Sequence, residues 1–200
     1  MARRNQHSKE ALRELALDAV QRIAERDGPH IVSARKVAHE IGYAPGMLYH
    51  LFENIDDLIL QANARTVMML TDTLRQAIQR KKPINAVLAM ASQYLALAQQ
   101  NSRRWQLLFE HAMRNDVPVP SWYQHQTDTL FELVEQQLAL LAPEKSSKDV
   151  TLAARSIWSA VHGVCLLAVT GKLDVGGPVQ APKIVESLVR HYLLGWTLEK

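Results

Sequence analysis

The sequence predicts an all-α chain of about nine helices, an N-terminal helix-turn-helix followed by a larger helical domain. Three observations carry that expectation. Strand-like alternation is nearly absent, while apolar residues recur at helical spacing throughout the 200 residues. Residues 32–52 spell two short helices joined by a glycine turn. Pro and Gly mark breaks between the periodic segments, as at Gly28–Pro29, Pro118–Pro120 and 171–182. Composition agrees with a water-soluble globular chain: 48% hydrophobic, 22% charged, formal net charge +3.

The elements follow in order. Ser8 can cap a first helix over 8–26, with Leu12, Leu15, Ala16, Ala19 and Ile23 on one side and Asp27–Gly28–Pro29 as its stop. Ser33 can cap a second, in which Val37, Ala38 and Ile41 form one apolar stripe. Gly42 suits a left-handed stop, and Pro45 fits the first turn of a third helix, since its missing N–H would be unpaired there anyway. In that helix Leu48 and Phe52, four apart, face inward. Ala44, Pro45, Gly46, Tyr49 and His50 are left pointing outward, a small-residue start that lets the backbone approach another surface closely. Such a pair of helices fits a helix-turn-helix that enters the DNA major groove. Tyr49 and His50 would then meet bases or backbone, with Ser33 and Arg35 on phosphates. Ser33 can instead be only a cap, and Arg35 reads equally as a solvated charge.

A long helix over 54–80 comes next. Asn54 caps it, Asp56 and Asp57 favour its positive end, and Ile55, Leu58, Ala62, Leu70, Leu74, Ala77 and Ile78 turn inward. Helices are expected over 84–99, 102–114, 122–141, 148–170 and 181–198, separated by Asn101–Ser102, the Pro118–Pro120 segment, Ala142–Pro143 and a Gly- and Pro-rich loop over 171–182. The expected division is a DNA-reading domain over 1–53 and a helical domain over 54–200, with the 54–80 helix as the mechanical link.

Residues 12–58 resemble the TetR family of transcriptional regulators. The resemblance rests on Val37–Ala38, Gly42, Gly46, Leu48–Tyr49, Phe52 and the pair Asp56–Asp57 before Leu58. Three positions depart from the family's pattern: Met47 stands where a threonine is common, Leu51 where a histidine or tyrosine is, and Ile55 where a lysine is. Each removes a polar group expected near a phosphate. The resemblance implies a homodimeric, ligand-responsive regulator, a repressor by preference, acting on an inverted-repeat operator in double-stranded DNA. It implies no cofactor. The basic N-terminus, with Arg3, Arg4, Lys9 and Arg13 against Glu10, reads either as a solvated tail or as an arm reaching the minor groove.

In the larger domain, segments 148–170 and 181–198 are the expected dimer surface. The first is apolar on more than one face, and the second carries Ile184, Leu188, His191, Tyr192, Gly195 and Trp196 at helical spacing. Trp158, His162 and Gly163 form Trp-x-x-x-His-Gly, which resembles the Trp-His-Gly type of C-terminal domain in a subset of TetR-like regulators. His162 reads as a core histidine or as a ligand contact. Met68, Met90, Tyr94, Trp105, Phe109, His111, Trp122 and Tyr123 suit an adaptable small-molecule pocket as well as a plain core. The family resemblance favours an effector cavity, and the scarcity of charge favours a mostly apolar effector; with Trp158 and His162, the expected contacts are Met68, Met90, Tyr94, Trp105 and Phe109.

Rival classes find less support. A DNA-binding structural or adaptor protein without an effector is the alternative. An enzyme is not expected, because the sequence carries no Gly-rich phosphate loop, cysteine cluster or His-Glu-x-x-His metal motif. Cys165, the single cysteine, forms no intramolecular disulfide and suits a reducing compartment. The longest apolar run, Val164–Val169, is too short to cross a bilayer, so a cytoplasmic protein without membrane contact is expected.

Overall fold

Eight α-helices and three short 3-10 helices, with no strand among the described residues, make up the computed structural model, which describes residues 7–111, 113 and 118–198. Contacts divide the chain into two compact units, Met1–Thr66 with Arg103–Tyr123, and Val67–Ser102 with Gln124–Lys200.

In the first unit, α1 spans Lys9–Asp27 and α2 spans Ala34–Ile41. Both begin at the serines expected: Ser8 Oγ accepts from the Ala11 N–H at 3.2 Å, and Ser33 Oγ from the Lys36 N–H at 3.4 Å. Gly42 closes α2 at φ 77°, a left-handed conformation that a side chain would oppose. The third element differs from expectation. It is a 3-10 helix over Pro45–His50 and not an α-helix through Phe52. Its bonds run from Met47 N–H to Ala44 O at 3.0 Å and from Leu51 N–H to Leu48 O at 2.9 Å. Three residues per turn stack i over i+3. Leu48 and Leu51 therefore share the inner edge, 2% and 9% exposed, while Gly46 and Tyr49 share an outer one.

The long α3, Ile55–Ala77, begins with a reciprocal cap. Asn54 Oδ1 accepts from the Asp57 N–H at 2.9 Å, and Asp57 Oδ2 accepts from the Glu53 N–H at 3.0 Å. Farther along, the Arg65 guanidinium reaches Asp18 at 2.8 Å and Glu14, fastening α3 to α1. The core of this unit joins Leu12, Val20, Ile23, Val37, Leu48, Phe52 and Leu58 with Leu107 of α5, Ser102–Glu110.

By contacts, residues 1–53 share one compact unit with the start of α3 and with α5. Helix α5 is fastened at three points besides the Leu107 side chain. Arg103 donates to the carbonyls of Glu25 and Arg26, in the last turn of α1, where carbonyls lack helical partners and the dipole favours a cation. Arg104 pairs with the Glu25 carboxylate. The buried Asn63 donates from Nδ2 to Leu107 O at 3.2 Å.

The second unit holds the end of α3 with α4 (Pro83–Gln100), α6 (Ser121–Leu141), α7 (Ser147–Val169) and α8 (Ala181–Leu198). Helix α4 packs on both α7 and α8, and these pack on each other. Ser146 caps α7, its Oγ accepting from the Asp149 N–H at 3.3 Å, one residue earlier than the expected start admits. The run Val164–Val169 understates this helix. As a whole, α7 is long and apolar enough to cross a membrane, with mean hydropathy 1.5 over its most apolar window, only 33% of it buried.

Candidate functional site

The outward face of the turn between α2 and α3 is where five of the expected DNA contacts come together. Ala44, Pro45, Gly46, Tyr49 and His50 are all exposed, with Tyr49 at 57%. No atom lies within 4 Å of where a Cβ on Gly46 would stand, so nothing inside the chain requires glycine there. Arg35 is exposed on α2. The Ser33 hydroxyl is engaged as the cap of α2, an accepting role that leaves its hydrogen to donate.

Sequence reasoning passed over three neighbours. Lys36 and His39 are exposed and, with Ser33 and Arg35, line a cleft beside Arg26, Asp27 and Glu40. The signal was present, because Arg35 and His39 stand four apart on the outer side of α2. In this cleft Arg26 is bound to Asp27 at 3.0 Å and Glu40 at 3.2 Å, and it holds both carboxyls below the usual carboxylate range. The third neighbour, Tyr43, meets His7 Nδ1 through its hydroxyl at 3.0 Å.

The three departures from the family pattern have a common physical meaning. Leu51 is buried, and Met47 and Ile55 pack against the core of the unit. Where polar residues would reach outward, these side chains turn in toward the core. Arg13 also differs from its place in a basic arm. Its Nη1 donates to Leu51 O at 2.8 Å and its guanidinium lies 4.8 Å from the centre of the Phe52 ring. Arg3 and Arg4 lie outside the described residues.

The expected effector contacts divide. Met90, Tyr94 and Trp158 line an apolar cavity of about 50 Å³ in the second unit, together with Leu74, Val87 and Phe131. His162 stands behind them, its Nδ1 2.8 Å from the Tyr94 hydroxyl and its ring centre 5.3 Å from that of Trp158. Burial pushes its pKa below the ordinary histidine value, which favours the neutral ring. Met68 is 55% exposed and lines a separate surface cleft with Thr71, Asp72, Arg75 and Gln126. Trp105 and Phe109 stand on α5 in the first unit, ring centres 4.8 Å apart. His111 is also there, its Nε2 3.4 Å from Asp56 Oδ1, and desolvation lowers its pKa more than Asp56 raises it. Helical spacing placed these side chains on inner faces without saying which of two interiors each would join. Cys165 is buried, its thiol pushed up to about 12 by desolvation.

A helix-turn-helix with an exposed turn, joined to a helical unit with its own interior, is the arrangement of a DNA-binding regulator. Residues 87–192 match the model of the family described as "Tetracyclin repressor-like, C-terminal domain". The chain belongs to this TetR family of transcriptional regulators. It is 30% identical over 108 residues to the HTH-type transcriptional regulator BetI of Brucella anthropi, covering 52% of this chain and 55% of that protein. The BetI of Brucella suis matches at the same identity, over 54% of its length. The chain thus spans about half the length of the curated relatives it matches. Its fold is shared by a protein of unknown function from Rhodococcus sp. RHA1, at a TM-score of 0.76 with 20% identity over 97% of this chain and 98% of that one. It is shared too by FadR of Bacillus subtilis in complex with stearoyl-CoA, at a TM-score of 0.72 with 15% identity over 91% of this chain and 98% of that one.

Proposed function

We propose that the protein is a cytoplasmic, homodimeric transcriptional repressor that reads an inverted-repeat operator and is released by a small, mostly apolar effector. The observation that carries the reading is the exposed turn Ala44–Pro45–Gly46 with Tyr49 beside it. Small residues let the backbone approach a duplex, and Tyr49 supplies the contact that can discriminate. Ser33, Arg35 and His50 hold phosphates and fix register.

The unburied apolar side of α7 and α8 supports the dimer. Leu152, Leu166 and Leu167 on α7, and Leu194 and Leu198 on α8, are between 41% and 73% exposed in the single chain. Two such helices from each protomer make a four-helix seam about a two-fold axis, which also accounts for a helix so apolar without invoking a membrane. Two reading turns about 34–36 Å apart would meet successive major grooves.

Met90, Tyr94, Trp158 and His162 form the effector site, and α3, which belongs to both units, is the lever. An effector favouring the DNA-incompetent state by about 1–3 kcal/mol weakens operator binding about 5–150-fold. The long acyl group on the FadR neighbour supports an apolar occupant. One observation favours the second reading, a DNA-binding adaptor without an effector: about 50 Å³ is far below the space a drug-sized ligand fills, about 300–1,000 Å³, so the cavity must widen on binding.

The test is genomic footprinting of the purified protein followed by titration of the recovered site with wild type and Tyr49→Ala. The expected result is an inverted-repeat footprint and at least tenfold weaker binding by a variant that stays dimeric. Unchanged affinity would remove Tyr49 from the interface, and a footprint without symmetry would remove the dimeric operator.

A further inference from the structure

Resting on the effector-cavity reading, we infer that the occupant is a slender amphiphile with one anionic group, and that the Arg155 guanidinium is its counter-charge. Arg155 is one turn before Trp158 on α7, and its Cζ lies 3.3 Å from the centre of the Phe131 ring. Phe131 and Trp158 both line the cavity and meet edge to face with centres 5.4 Å apart. The cation therefore lies against one ring of the cavity wall, Phe131.

Arg155 is only partly exposed, and no carboxylate pairs with it among the described residues. A cation withdrawn from water needs compensation, and a phenyl face supplies part of it. Stacking over a ring still leaves the in-plane N–H groups of a guanidinium able to grip a carboxylate or phosphate through two parallel bonds. The cavity wall itself is formed by Leu74, Val87, Met90 and Val161 with the aromatic rings, and holds no charged side chain. Such a wall accepts hydrocarbon. Its small volume favours a chain over a bulky ring, because a chain needs the least widening. A cationic ligand, by contrast, would meet Arg155 with like charge.

The experiment is calorimetric titration of the full-length protein with octanoate, octan-1-ol and octyltrimethylammonium, repeated on Arg155→Gln and Arg155→Lys. Wild type is expected to bind octanoate at least about tenfold more tightly than octanol, the margin of a charge-assisted hydrogen bond. Arg155→Gln removes that margin and leaves octanol affinity within about twofold, which also reports a folded cavity; Arg155→Lys retains part of it. Octanol binding with no preference for octanoate, a preference that survives in Arg155→Gln, or tightest binding of octyltrimethylammonium overturns the assignment of Arg155 and leaves the cavity standing. Should none of the three probes bind to wild type, both the assignment and the effector-cavity reading fall. The wild-type comparison decides the matter even if a variant does not fold.

Discussion

Removing the Leu107 side chain tests whether α5 is a structural part of the DNA-reading unit. Leu107 is 2% exposed and belongs to the same core as Leu12, Ile23 and Phe52, although it is more than fifty residues beyond the turn proposed to read DNA. Leu107→Ala leaves a cavity that polar anchors at Arg103 and Asn63 hold open, since both bind backbone carbonyls and resist collapse. A buried Leu→Ala change costs about 2–5 kcal/mol. If α5 and α1 open together, that loss makes the slowest amides of α1 and α2 exchange with deuterium about 30-fold to several thousand-fold faster. Hydrogen exchange read by mass spectrometry resolves this element by element. Leu140→Ala, at a position 67% exposed, is the control and should stay within about 0.5 kcal/mol. Faster exchange confined to α5, with α1 and α2 at wild-type rates, would refute the reasoning.

Three further outcomes are expected. Arg13→Ala loses the bond to Leu51 O and the contact with the Phe52 ring, at about 1–3 kcal/mol, and should raise exchange at Leu51 and Phe52 while weakening operator binding. Gly42→Ala and Gly46→Ala should separate cleanly: the first meets a φ of 77° and costs about 1–2 kcal/mol in thermal or urea unfolding, whereas the second is neutral for stability and weakens only DNA binding. Equal stability losses would contradict the geometry. Stability should fall as pH drops below the ordinary histidine value of 6.5, because the unfolded chain takes up protons there that half-buried His111 and His162 resist. The loss continues until the lower folded values are passed, and urea titrations from pH 7.5 to 5.5 should show it shrinking in a His111→Gln, His162→Gln variant.

Most of the fold is legible because its punctuation is local. Ser8, Ser33, Gly42, Asn54 and the segment before Ala181 each act through bonds to backbone a few residues away, so spacing alone places α1, α2, α3 and α8 within a few residues. The reading turn was legible as to position and outward face, yet its winding was not. An α-helical period buries Leu48 and Phe52, while the observed winding buries Leu51 as well, and a six-residue segment is too short for periodicity to distinguish the two. The interior of the chain was least legible. Tyr94 and Trp105 are both aromatic, both buried and on consecutive helices, but they belong to different units. What separates them is the set of long-range anchors at Arg103, Arg104 and Asn63, whose partners lie 44 to 79 residues away and leave no trace in local pattern.

The reciprocal cap at Glu53, Asn54 and Asp57 leaves no slack between the reading turn and α3. Phe52 is bonded back to Leu48, and the next two residues are already committed to the first turn of the helix. A displacement of that turn by a fraction of a residue's rise cannot be absorbed by an elastic loop, because none intervenes. It is passed on to Tyr49 with little loss, so on the proposed reading small motions at the start of α3 become changes in how the protein grips a groove.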